Sequence, residues 1–209
     1  MPLSTVLGAQ SLVQPAVCTT ATRPASPYTG QAIYDTTLAQ TLVYNGSAFV
    51  VQTGGLVRVG GGALSGSSTA FTSVFSATYE AYKIIVSNGN CSGAAYIALT
   101  FGSTTTGYKS SQPGSVTTTG AYASSLASGT SYAAVGFTTS GNFGSDITVL
   151  NPQLAKYTHT SSSLGFVDGN NGASHNGVLE NSTQYTGFTL APSSGTFTGT
   201  VNIYGYSLS

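Results

Sequence analysis

From Thr69 onward, apolar residues recur at every second position in short runs separated by turn clusters. Tyr82, Ile84 and Val86 share one parity in "YKIIV", and "NGN" at 88–90 then turns the chain. Ile97, Leu99 and Phe101 repeat the pattern, as do Phe188 and Leu190, and Phe197, Val201 and Ile203. Side chains alternate across a strand, so a period of two places each set on one face, against a core. The runs "SYAAVGFTT", "DITVL" and "SSLGFVDG" lie between them. No helical period competes; Ala77–Tyr82 supports a single turn at most. Roughly eight short strands at this spacing predict an all-β, jelly-roll-like antiparallel sandwich. An immunoglobulin-like fold is disfavoured because the chain has no Trp for a Cys…Trp…Cys core. No internal repeat suggests a solenoid.

Ahead of this region the punctuation changes. Residues 1–22 read as an N-terminal arm with a short strand around Leu12–Val17. In "RPASPYTGQAIYDTTLAQTLVYNGSAFVVQ", Arg23 to Gln52, Pro24 and Pro27 force an extended lead-in. Strands are expected at Gln31–Tyr34, Thr41–Tyr44 and Ser47–Gln52, with a turn over Asp35–Ala39. Asn45-Gly46 predicts a tight type I′ hairpin, in which both central residues have positive φ. Three strands in about thirty residues make a small meander with too little core to be very stable alone. The glycines and serines of "GGLVRVGGGALSGSS" read as a link, with the boundary near Gly60–Ser68. The expected organisation is therefore arm 1–22, β-meander module 23–60 and sandwich 61–209.

Charged residues make up 5% of the chain, five basic and five acidic, against about 25% in ordinary soluble domains. Such a chain has no field to attract phosphates, so nucleic acid is a poor partner. A hydrophobic share of 40%, with 13 Tyr and 9 Phe, supplies a core and argues against disorder. A net charge of zero offers little protection against association. A neutral Ser/Thr-rich surface therefore suits a subunit of an assembly. Cys18 and Cys91 are too few for a disulfide scaffold and too isolated for zinc. Two unpaired thiols, at least one buried, are expected, with a Cys18–Cys91 bridge the alternative. No apolar stretch approaches the length of a membrane span. The first residues lack the basic start of a signal peptide, so synthesis in a cytoplasm is expected.

The acids Asp35, Glu80, Asp146, Asp168 and Glu180 are scattered singly, and general acid–base catalysis needs two groups that converge. His159 and His175 match no metal-ligand spacing. "DGNNG" at 168–172 lacks the later acidic ligand of a calcium loop and reads as a hairpin. No catalytic residue, metal or cofactor is expected. Tyrosine combines contact area with a hydroxyl and suits wet interfaces. Tyr108, Tyr122, Tyr132 and Tyr157 are therefore the candidates for an outward contact surface, with cross-strand packing as the competing role for each.

The segment Thr22 to Val50 resembles a module of tail-fibre and tail-tip proteins of tailed bacteriophages, whose pattern is R-P-x-S-P-x-x-G-Q-x-I-Y followed by a "VYNGSAW"-like strand pair. Arg23, Pro24, Ser26, Pro27, Gly30, Gln31, Ile33 and Tyr34 match it, as do Val43 through Ala48. Phe49 stands where Trp is usual, and the acidic residue that often follows Tyr34–Asp35 is missing. "TYEAYKIIVSN" and "NSTQYTGFTLAPSSGTFTGTVNIYGYSLS" are similar to the first and last strands of sandwich domains in phage virion proteins. The resemblance implies a non-enzymatic virion component on the particle exterior, often a homotrimer. Its N-terminal module would attach to other virion proteins through Arg23, Pro24, Tyr34, Tyr44 and Phe49. Its sandwich would face a host cell-surface glycan or protein. The alternatives are a trimeric capsid decoration protein and, behind it, a glycan depolymerase using Asp168, Glu180 or Asp146.

Overall fold

The computed structural model describes residues 16–51, 55–116, 121–138, 141–164 and 171–206, with the backbone alone at 113–116, 121–129, 141, 164 and 171–173. The chain divides between Gly54 and Gly55 into two compact units.

In the first unit, β2 (Ala32–Asp35), β3 (Gln40–Tyr44) and β4 (Phe49–Val51) form the expected antiparallel meander. The short strand expected around Leu12–Val17 is described at Ala16–Cys18, and it joins the meander as a fourth strand. This β1, from the segment read as an arm, adds in parallel to β2. One face buries Ile33 and Leu42 completely, together with the carboxylate of Asp35. That carboxylate organises the unit. Its Oδ2 accepts hydrogen bonds from Thr20 Oγ1 at 2.9 Å and Arg23 Nε at 2.8 Å, and pairs with Arg23 Nη2 at 2.7 Å. Its Oδ1 accepts from the Thr37 and Leu38 N–H groups and so closes the β2–β3 turn. Desolvation pushes the carboxyl pKa up, but the bonds from Arg23, Thr20, Leu38 and Thr37 outweigh it and hold it below the ordinary value.

The β3–β4 connection is not the two-residue type I′ turn. Tyr44 pairs with Phe49, leaving Asn45–Ala48 as the loop, and of the Asn-Gly pair only Gly46 takes positive φ, +103°. The Asn45 side chain explains the difference. Its Oδ1 accepts from Ser47 N, Ser47 Oγ and Ala48 N at 2.9–3.0 Å, building an Asx turn that supports the longer loop. Asn45→Ala should therefore destabilise this unit by about 1–2 kcal/mol, and Asn45→Asp by much less. Thermal denaturation followed at the first unit's amide resonances checks this.

The second unit is an antiparallel two-layer sandwich. The larger sheet runs β10 (Ala121–Thr130), β9 (Tyr108–Val116), β14 (Asn171–Leu179), β13 (Thr158–Leu164), β12 (Gly141–Leu150), β7 (Ala81–Cys91), β16 (Phe197–Tyr206), β5 (Leu56–Gly66). The smaller runs β11 (Ala133–Thr138), β8 (Ala95–Phe101), β15 (Phe188–Pro192), β6 (Thr69–Phe71). The eight-over-four division has more strands than the sequence spacing suggested. The segment read as a link, Gly54–Ser68, lies mostly in β5, which pairs with β16 through Gly60–Gly62 among others, so the boundary expected near Gly60–Ser68 falls inside a strand. Glycine is required there by close approach. At Gly61, φ is +144° and a Cβ would sit 2.2 Å from the Val201 carbonyl oxygen.

Every apolar face read from parity lies inside: Tyr82, Ile84 and Val86; Ile97, Leu99 and Phe101; Phe188 and Leu190; Phe197, Val201 and Ile203. They join one core spanning both sheets, each large side chain contributing about 1.5–3 kcal/mol by burial. The Tyr82 hydroxyl, at the edge of this core, finds partners, as most buried polar groups do. Tyr82 Oη accepts from Ser76 N and donates to Ser76 O. Cys18 and Cys91 are free thiols, and burial raises the pKa of Cys91.

One inner region is polar. Where β11 packs over β12, β13 and β14, Ser145, Thr158, Thr160, Ser162 and His175 are buried. Ser145 Oγ donates to Val135 O at 2.7 Å. Ser162 and His175 are cross-strand partners, yet among the described residues Ser162 Oγ and both His175 nitrogens have no hydrogen-bond partner.

Candidate functional site

At one end of the smaller sheet, three segments distant in sequence enclose a cleft of about 450 Å³. They are the end of β6 with Thr72, the loop after β8 (Gly102–Thr104), and the stretch from Thr183 into β15 (Thr189). The β-ladders bring them together, since Phe188 pairs with Phe71 on one side and with Phe101 on the other. The volume falls in the range of small-ligand sites, about 300–1,000 Å³. Among the described residues that line it there is no Asp, Glu, Lys, Arg or His.

Its walls are pinned from several directions. Tyr185, buried, shares a 2.7 Å hydrogen bond with Thr104 Oγ1 and accepts from Asn181 Nδ2 at 2.9 Å. Gln153 Nε2 donates to Tyr185 O at 2.7 Å, and Gln184 Nε2 donates to Gln153 O at 2.6 Å. The Thr186 carbonyl accepts from Val74 N and Phe75 N, both at 2.9 Å. Beneath lie the rings of Phe71 and Phe188, stacked with centroids 5.1 Å apart.

The tyrosines proposed from sequence do not converge here. Tyr108 is wholly buried, with Oη accepting from Phe101 N at 2.8 Å. Desolvation pushes its pKa up to about 12, so it is a core residue and not a contact residue. Tyr132 is half-buried, and Tyr157 stands 51% exposed. Tyr122 lies on β10 opposite Ser115, and its side chain falls outside the described residues. The tyrosine that shapes the cleft is Tyr185. Its signal in the sequence was the excess of tyrosines, 13 in the chain, of which Tyr185 is one.

The first unit corrects a second expectation. Tyr44 and Phe49 are half-buried, on the same parity as Leu42, with ring centroids 5.3 Å apart. They close the covered face; they are not the outward face. Arg23 is engaged by Asp35, and Pro24 is half-buried. The opposite parity places Val17 beside Tyr34, and Val43 beside Val50. There Val17 is 62%, Tyr34 37% and Val50 41% exposed. Of the five proposed interface residues, Tyr34 alone belongs to this apolar surface.

The ionisable groups stay apart. His159 is exposed and His175 buried, so they do not share a site. Asp146 pairs with Lys83, and Glu180 with Lys109 at 2.8 Å. Asp168 lies outside the described residues. Among the described residues no three His, Cys, Asp or Glu side chains gather as metal ligands, and no helix is long and apolar enough to cross a membrane. Compared with protein-family models, curated proteins and solved structures, the chain matches none.

Proposed function

We propose that this chain is a non-enzymatic structural protein of a tailed-bacteriophage virion, a tail-fibre or tail-tip subunit that attaches through its first unit and meets the host surface through its sandwich. The observation that carries this reading is the fit between the R-P-x-S-P…I-Y…Y-N-G-S-A pattern and the bonds of the first unit. Arg23 of the pattern holds the Asp35 carboxylate that follows its Ile-Tyr, and Asn45 builds the loop after its Val-Tyr. A motif whose residues specify the fold of a small sheet can be reused as an adaptor, because its outward face is left for partners. Here that face carries Val17, Tyr34 and Val50, apolar surface of the kind that marks subunit contacts. Near-zero net charge supports life in an assembly, and a homotrimer is the assembly state we propose.

Locating the chain's density in intact particles by electron microscopy, with an antibody or fused tag as marker, tests this. Density at the tail is the expected result. Density on the head lattice would overturn the tail assignment in favour of capsid decoration, and its absence from particles would overturn both.

A further inference from the structure

The cleft beside Tyr185 has a chemistry of its own, and naming its ligand deepens the host-contact reading on which this inference rests. Its polar lining is made of neutral groups, so any charge entering it would lose water without gaining an ionic partner. Phosphates, sulfates, acidic peptides and cationic amines are therefore poor occupants. A purely apolar ligand is also disfavoured, because the rim carries hydroxyls that would be stripped of water unpaired. Thr72, Ser103 and Thr186 line the cleft with side chains that make no hydrogen bond among the described residues. Hydroxyls of this kind donate and accept at once, which matches a ligand whose own groups are hydroxyls. The floor adds ring surface from Phe71 and Tyr185.

From this we infer that the cleft between the β6 end, the Gly102–Thr104 loop and the Thr183–Thr189 stretch is a binding subsite for an uncharged carbohydrate unit. The walls are held by the bonds of Tyr185, Gln153 and Gln184 before any ligand arrives. Binding there therefore loses little loop entropy. A single shallow site of this type suits weak contacts multiplied over copies of the subunit.

Saturation-transfer NMR on the full chain tests the assignment with maltotriose, chitotriose and lactose as neutral probes and sialyllactose as the acidic one. At least one neutral probe should bind with a Kd of about 1 mM, and sialyllactose no better than lactose. Ser103→Trp, on an exposed loop, should fill the cleft and weaken that binding at least about ten-fold, with the melting temperature unchanged. Thr183→Trp serves the same purpose should the first variant fail to fold. Tyr157→Ala removes an exposed tyrosine outside the cleft and should leave binding intact. The inference is overturned if no neutral probe transfers saturation, if the acidic probe binds better, or if Tyr157→Ala and not the tryptophan variants abolishes the signal. A tail location without saccharide binding would sink the cleft assignment alone. Saccharide binding by a chain found elsewhere on the particle would leave the cleft standing and remove the host-contact reading.

Discussion

Acidification from pH 6.5 to about 4 should remove roughly 3 kcal/mol from the stability of the sandwich unit, and His175→Leu should abolish most of that slope. His175 is 1% exposed, and desolvation lowers its pKa to about 4. The unfolded imidazole takes up its proton near the ordinary value of 6.5, whereas the folded one resists until about 4. Between these values the unfolded state binds more protons, so stability falls as pH falls. Above 6.5 the stability is fully present, and below about 4 the loss is complete. Among the described residues, the side chains in register with His175 on the next two strands carry no charge: Ser162 is its cross-strand partner, and Ile147 lies beyond Ser162 on β12. Leucine approximates the imidazole's volume and removes two polar atoms that have no hydrogen-bond partner among the described residues. The variant should therefore be no less stable than the parent at pH 7. Urea denaturation of both proteins at pH 7, 5.5 and 4 reads the effect, with His159→Leu as the exposed-histidine control. Equal slopes for parent and His175→Leu would refute the assignment.

That prediction rests on a residue whose environment was hidden in the primary structure, and the reason is physical. Parity identifies which residues of a strand share a face; it does not say which face is covered. For "YKIIV" the distinction was easy, because Tyr82, Ile84 and Val86 are all apolar, and all are buried. For β14, His175 alternates among small and polar neighbours, so no hydrophobic contrast marks its side as the inner one. The same ambiguity explains Tyr108. A tyrosine at a strand start next to Lys109 reads as outward, but its ring enters the core and its hydroxyl meets the Phe101 N–H group.

Glycine misled in a second way. Gly60–Gly62 has the composition of a linker, yet β5 needs residues without side chains where Val201 and Asn202 approach closely. Local composition cannot separate a loose segment from one compressed against a neighbour 140 or so positions away, because the cause is long-range. The cleft was illegible on the same ground. Thr72, Ser103 and Thr186 are ordinary Ser/Thr residues until β6, β8 and β15 align side by side. In the first unit, by contrast, the determinants are local. Asp35 bonds within its own turn, and Asn45 within its own loop, so the meander was readable, apart from the pairing of β1 with β2 and the turn type.

Local determinants also make the first unit fragile, and Leu42→Ala should expose this most clearly. Leu42 and Ile33 are the only large apolar side chains among its described residues that are fully buried, and they face each other across β2 and β3. Truncating a buried leucine costs about 2–5 kcal/mol, with the higher values where the surroundings cannot collapse into the space. A four-stranded sheet with two such residues has total stability of only a few kcal/mol, so the substitution should leave this unit largely unfolded at 25 °C. The buried Asp35 carboxylate adds to the effect, since its bonds to Arg23 and Thr20 persist only while β2 stays docked. Hydrogen exchange by mass spectrometry gives the readout. Peptides covering residues 29–51 should lose protection, while those covering β7 and β16, whose core contains neither Leu42 nor Ile33, should keep it. Retained protection across residues 29–51 would mean that this sheet draws its stability from contacts other than its own core.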